Sequence, residues 1–569
     1  MDVPADRNNG QTVDSDVLAL LGKKQVLKRR FGLLSIFGFA MCELITWETV
    51  LAIFSQGLDN GGPAGLVYGF LIAWLSTLSV YTVISELASM APIAGGQYYW
   101  VYILAPTRYK KFSSYIIGWL TSLAWIATIA TESVFAGTII QGLIILDYPD
   151  TYVPKEYQGT LLTWLVIAVA ILINTVIPGT LPKFEIFILV FHVAGFITIM
   201  ALLWTYSTHQ TASFVFTTSL NEGNWPTQGL SYCVGFLGNV ATFVGADATV
   251  HMAEEISNAA INIPRAICGS MIINGILGFA MMLTVLFCIG DLTTVVGTAT
   301  GFPFIQIFYD SVGSIAGATV MTAVVLALTW SCAIGITTTA SRMTWSFARD
   351  RGTPFSHYLM KVDKRTKVPI IAVGAVTLFA ALLTLIYIGS PTAFNDVISL
   401  TITGFYGSYF LPSAFLLYHR IKGHVASKTL HIPAATQDLP EPSHDGADGH
   451  IGDEKMKPSE DPNTSTTIPD VAIEVAQIQL AWGPFRIPGI LGIINNLYAC
   501  LYMIFVIFWS VWPPATPVSA STMNYSVLVT GGVIIFSVIW YWIRGRKEYQ
   551  GPLIDDEVRN VIRLGSVVA

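Results

Sequence analysis

Uninterrupted apolar runs of roughly 18 residues or more, with few charges, recur along this chain, and each is long enough to cross a hydrocarbon core of about 30 Å as a helix. Lipid offers no water to bond a bare peptide group, so such runs must satisfy their backbone internally. Twelve of them lie near 33–57, 66–90, 113–141, 159–177, 185–206, 229–252, 266–290, 314–341, 368–388, 394–419, 488–512 and 525–544. They predict an all-α integral membrane protein with twelve transmembrane helices. Composition agrees, because 53% of residues are hydrophobic and 12% charged, where soluble proteins carry about 25% charged.

Basic residues fix the expected orientation, since Lys and Arg beside short loops stay cytoplasmic. With the N-terminus inside, Lys23, Lys24, Lys28, Arg29, Arg30, Arg108, Lys110, Lys111, Lys183, Arg265 and the cluster from Arg342 to Lys367 fall on the cytoplasmic side. The extracellular loops hold Lys155 alone. Inserting or deleting a single span would reverse every later loop and spoil this bias. Both termini are therefore expected in the cytoplasm, and the first span is expected to direct insertion without a cleaved signal.

The domain plan that follows is a tail over 1–32, five spans over 33–206, five more over 229–419, a polar loop over 420–487, two spans over 488–544 and a tail over 545–569. The loop is rich in Pro, Ser, Thr, Asp and His, a composition expected to be disordered, and it is a place where cytoplasmic regulators could bind. Net charge is −6 with no basic stripe, which argues against nucleic acid. Cys42, Cys233, Cys268, Cys288, Cys332 and Cys500 sit inside apolar runs without metal or disulfide spacing. The run from His251 to Glu255 has Glu where the H-x-x-E-H zinc pattern needs its second His, and no phosphate-binding G-x-x-x-x-G-K-[ST] occurs. Neither catalysis, nor a metal, nor an organic cofactor is expected.

Ionisable residues inside a span cost at least about 2.5 to 3.5 kcal/mol each and mark function by default. Span 1 carries Glu43 and Glu48 with Thr46, Trp47 and Thr49 at mid-membrane depth; span 6 carries Gly245, Ala246 and Asp247 after Phe243 and Val244. A regular helix hosts neither segment well. Broken helices at matching places in two halves point to a transporter site, where freed backbone groups face the substrate. The candidate lining is Cys42, Glu43, Leu44, Ile45, Thr46, Trp47, Glu48, Glu132, Phe243, Val244, Gly245, Ala246 and Asp247. Asp247 could contact an amine, carry a proton or cap freed amides; His192 could be a core histidine or a proton relay. Glu86, and Glu254 and Glu255 near Arg265, read as structural or gating salt bridges, with Glu254, Glu255 and Arg265 also candidates for proton coupling.

Three motifs now carry a resemblance. Ser89 to Trp100 (SMAPIAGGQYYW), Gly245 to Ile267 with its HMAEEI and PRAI segments, and Ser341 to Asp350 resemble the amino acid/choline transporter family of fungi, within the amino acid-polyamine-organocation superfamily. The resemblance covers about 33–544. It implies a LeuT-like fold, in which five spans are repeated upside down by the next five with two added, and helices 1 and 6 are broken around the substrate. It also implies plasma-membrane uptake, usually driven by protons, of amino acids, 4-aminobutyrate, choline or related amines; an amino acid or amino-acid-derived amine ranks first, and a choline or other quaternary-ammonium or polyamine carrier and a non-transporting nutrient receptor are the rival readings. Two departures stand out: no glycine lies between Cys42 and Thr49, and Ala241 occupies the position where bacterial relatives tend to place a gating aromatic. Phe243 or Trp47 could replace that ring, and Trp47 between two carboxylates would suit an ammonium head.

Overall fold

The computed structural model describes residues 14–15, 17–425, 481–520 and 522–553, with backbone alone at 391–395. Most of the polar loop (426–480) and the tail past 553 lie outside the described residues. Eleven helical segments among them are long and apolar enough to cross a membrane, and they coincide with eleven of the twelve expected runs. The exception is 229–252, whose helix stops after 14 residues. Apart from two isolated bridges, the described residues form no strand.

The first run consists of α1 (Leu33–Leu44) and α2 (Thr46–Asp59). It is followed by α3 (Gly62–Met90), a short α4 (Gln97–Leu104), α5 (Lys110–Asp147), α6 (Glu156–Val176) and α7 (Leu181–Tyr206). The second half has α8 (Gln228–Ala241), the single turn α9 (Ala248–His251), α10 (Ala259–Phe287), α11 (Pro303–Val312), α12 (Ile315–Arg349), α13 (Ile370–Leu383) and α14 (Pro391–Ile421). The last two runs are α15 (Gly489–Trp509) and α16 (Ser526–Trp540). Counted as spans, the first four pack on their fifth successors: span 1 on span 6 (α2 on α8), 2 on 7 (α3 on α10), 3 on 8 (α5 on α12) and 4 on 9 (α6 on α13). The last two spans pack against α14, α15 touching α3 and α16 touching α5 as well.

Lipid tails are as apolar as leucine, so the bundle is held by close packing and by polar contacts. Small residues let helices approach: a Cβ on Gly275 of α10 would stand 1.9 Å from the Trp74 ring of α3. Asn174 of α6 donates to the Ile334 carbonyl at 3.0 Å and accepts from Thr338 at 2.5 Å, which ties α6 to α12. Outward faces of α6, α7 and α13 expose Leu161, Leu165, Val190 and Leu378, as a lipid-facing surface requires. All six cysteines are free.

Charge separates the two faces. Lys23, Arg29, Arg30, Arg342 and Arg349 gather at one end of the bundle, called here the basic face, while Asp59, Lys155 and Glu156 lie at the opposite end.

Candidate functional site

One non-helical residue separates α1 from α2 and a short turn separates α8 from α9, and the two places lie against each other. α1 ends at Ile45, whose φ of 28° lies in the left-handed region that a β-branched residue rarely enters. Such strain persists only where its surroundings over-determine it. Here Asn274 of α10 donates to the Met41 carbonyl at 3.1 Å, supporting the carbonyl end of α1. In the second half α8 stops at Ala241, and the chain turns through Gly245, at φ 115°, before α9. Glycine is required at 245 twice over, because a Cβ would be strained at that φ and would lie 3.0 Å from the Glu43 carbonyl of the first break. Tyr81 of α3 takes up the freed amides, its hydroxyl accepting from Gly245 N at 3.1 Å and Ala246 N at 3.3 Å. That is the capping job the sequence leaves open to Asp247, and a tyrosine from α3 does it.

A small cavity of about 30 Å³, room for a water or two, lies between the breaks. Of the candidates, Glu43, Leu44, Ile45, Glu132 and Val244 line it. They are joined by Thr49 and Ile53 of α2, Thr128, Thr131 and Phe135 of α5, Ala241, Ile336 of α12, and Ile398, Thr401 and Ile402 of α14. Glu43 is 3% exposed with neither carboxylate oxygen bonded to protein, and Glu132 is 9% exposed with Oε2 unpartnered. Burial of an acid without a partner is costly, so these oxygens are built to receive something. Glu43 is held against Gly335 of α12, where there is no side chain: a Cβ there would stand 1.8 Å from its Oε1. Gly335→Ala is therefore expected to push the Glu43 carboxylate aside, raising the KM for substrate severalfold while surface delivery stays normal.

The other candidates sit elsewhere, for geometric reasons. Cys42, Trp47 and Glu48 lie on the side of the first run that faces α7. Glu48 pairs with His192 at 2.6 Å, and Trp47 packs on His192 and Phe196 with ring centroids 5.7 Å and 6.1 Å apart. Trp47 is thus not a cation-binding wall of the cavity. Thr46 packs toward Gly278, and Phe243 packs on Phe70 with tilted rings 4.9 Å apart, so neither ring proposed as a gate lines the space. Gly245 and Ala246 shape the break from behind. Asp247, wholly buried, accepts from Gln97 Nε2 at 2.7 Å and from the Tyr409 hydroxyl, with His251 Nε2 at 3.7 Å. His251 Nδ1 faces the Ala94 carbonyl at 2.8 Å; a carbonyl can only accept, so Nδ1 carries the hydrogen. Gln97, Tyr81 and Tyr409 were missed in the sequence because they come from three separate elements and only Asp247 signals their meeting.

Toward the basic face the space is shut by ion pairs. Glu255 binds Arg342 at 2.8 Å with both side chains at most 3% exposed, and Glu254 takes two bonds from Arg349 at 2.6 and 3.1 Å. Arg265 is exposed on α10, so the acids pair with α12 and not with Arg265 as expected from sequence. Asp350 gathers Lys23, the Tyr98 hydroxyl at 2.8 Å and Leu553 N at 3.0 Å. Arg30 N and Phe31 N donate to the Glu255 carbonyl at 2.9 and 3.0 Å, joining the entry of α1 to the exit of the second break. Glu86 accepts from Arg420 at 2.5 Å and from Ile487 N at 2.7 Å, so the salt bridge expected of it is present. Around this closure burial pushes the Tyr99 hydroxyl up out of the titrating range, and Tyr549 likewise. Toward the other face Phe135 alone is shared with an open cavity of about 510 Å³ lined by Asp59, Gln141, Lys155 and Glu156.

Comparisons with known proteins agree with this architecture. The family model described as "Amino acid permease" matches residues 31–534. A protein of Macrophomina phaseolina designated an amino acid/polyamine transporter is 32% identical, the match covering 68% of this chain and 85% of that one. The choline transporter of Saccharomyces cerevisiae is 27% identical over 92% of this chain and 83% of its own. Among solved structures the manganese transporter of Eremococcus coleocola matches with a TM-score of 0.50 at 13% identity, covering 95% of this chain and 97% of that one, a likeness of fold alone. The match along nearly the whole membrane region, with a LeuT-like arrangement of helices, makes this chain a member of the amino acid permease family of multi-pass membrane transporters.

Proposed function

We propose that the protein is a secondary carrier of the plasma membrane that moves a small amino acid or an amino-acid-derived amine by alternating access, driven by protons, with both termini in the cytoplasm. The observation that carries this reading is the placement of the cavity. It lies where two half-helices end, with buried ion pairs toward the basic face and Phe135 lining both it and the wider cavity toward the other. A carrier needs two barriers of this kind around one site, each removable while the other stands. With the basic face cytoplasmic, as the distribution of Lys and Arg implies, the wide cavity beyond Phe135 is the extracellular vestibule.

The Glu48–His192 pair supports proton coupling, since it is buried, acid with base, and attached to the first break by two helix positions. Its protonation would alter how α2 sits on α7. His192→Gln is expected to leave the protein able to exchange substrate across the membrane but to cut the stimulation by an inward pH gradient about tenfold, the loss expected for about 1.4 kcal/mol of coupling. Uptake of labelled 4-aminobutyrate, choline and a panel of amino acids into proteoliposomes, with and without that gradient, tests the whole reading. Binding without accumulation would favour a receptor.

A further inference from the structure

Resting on the transporter reading, we propose that the group recognised between the breaks is an ammonium carried by an organic amine, not a carboxylate, and that Glu43 and Glu132 are its counter-charges. The cavity wall presents acceptors almost throughout. Its two ionisable side chains are both acids, brought from α1 and α5, and three of their four oxygens have no protein partner. Among the described residues lining it there is no Lys, Arg or His.

The hydroxyls point the same way. Thr128 donates to the Ala124 carbonyl at 2.8 Å, Thr131 to Ala127 at 3.0 Å and Thr401 to Val397 at 3.0 Å. A hydroxyl has one hydrogen and two lone pairs, so with the hydrogen committed to its own helix each of these can only accept from a ligand. Thr49 is the exception, with no bond that commits its hydrogen. The backbone does not supply the missing donors either, because the first amides of α2 belong to Thr46, Trp47 and Glu48, none of which lines the cavity. A carboxylate placed here would face lone pairs and lose its water without compensation, whereas an ammonium would gain two charged partners.

Matched probes separate the alternatives in wild-type proteoliposomes: choline against glycine betaine, and 1,4-diaminobutane against 4-aminobutyrate, each pair differing by a carboxylate. We expect accumulation of at least one amine, with its carboxylate-bearing partner at least tenfold weaker in KM and as competitor. Glu43→Gln and Glu132→Gln should each raise the KM for that amine tenfold or more. Equal or better transport of the carboxylate-bearing member, uptake of amino acids from a wider panel without uptake of either amine, or an unchanged KM in both variants overturns the ammonium assignment and leaves the carrier standing. Uptake of none of these compounds by correctly inserted protein overturns the carrier reading and this proposal with it.

Discussion

Arg342→Ala is expected to release the closure on the basic face and to hold the protein open there, with uptake falling to a few per cent of wild type while the amount of protein in the membrane stays within twofold. Arg342 is 1% exposed and its partner Glu255 is 3% exposed. Removing one member of a buried pair leaves the other charge unpaired, which costs about 3–5 kcal/mol. That cost falls on the closed state alone if Glu255 regains water when the face opens, so the balance between the states shifts roughly a hundredfold or more. The neighbouring contacts cannot absorb the loss, because Arg349 is committed to Glu254 and stacks over Trp345 at 4.4 Å, and Lys23 is committed to Asp350. Reversing the pair with Arg342→Glu and Glu255→Arg together should recover part of the activity. Reactivity of a cysteine placed at Ile336, measured from the basic face, reads the opening directly.

The second large effect is expected at Asp247. Asp247→Asn should insert normally and lose at least tenfold in transport. The fold tolerates the change because Gln97 Oε1 is a buried atom without a partner, so rotating the Gln97 amide offers an acceptor to the new Asn amide. The charge is what cannot be replaced. Asp247 links the second break to α4 through Gln97 and to α14 through Tyr409, and hydrogen bonds to an ionised group are worth about 1.5–3 kcal/mol each. Full gradient-driven uptake by the variant would remove Asp247 from the mechanism.

Hydropathy made the spans legible, and the misplaced acids made both breaks legible, because lipid penalises an isolated carboxylate so heavily that its position is informative. The residue at which the first helix breaks was not legible: Ile45 is a poor candidate for a positive φ, and only the packing around it imposes that conformation. The facing of each side chain was also hidden. Glu43 and Glu48 look equivalent in the sequence, but the break between them sends one to the cavity and the other to His192. Ile45, Thr49 and Ile53 share a helix face at spacings of four and could have been grouped. Thr128, Thr131 and Thr401 carry no such signal, since a threonine bonded to its own helix is ordinary in a membrane span. The basic-face pairing was half legible: the acids were evident, but a partner on α12 requires the fold.

The account stands on one cavity that faces the two sides of the membrane in turn. Its most direct test places a single cysteine at Ile336 in a cysteine-free background and labels it with a membrane-impermeant maleimide from each side separately, in wild type and with Arg342→Ala. Alternation predicts opposite changes, labelling from the basic face rising severalfold as labelling from the other face falls. Simultaneous increase from both sides, or no change from either, would contradict it.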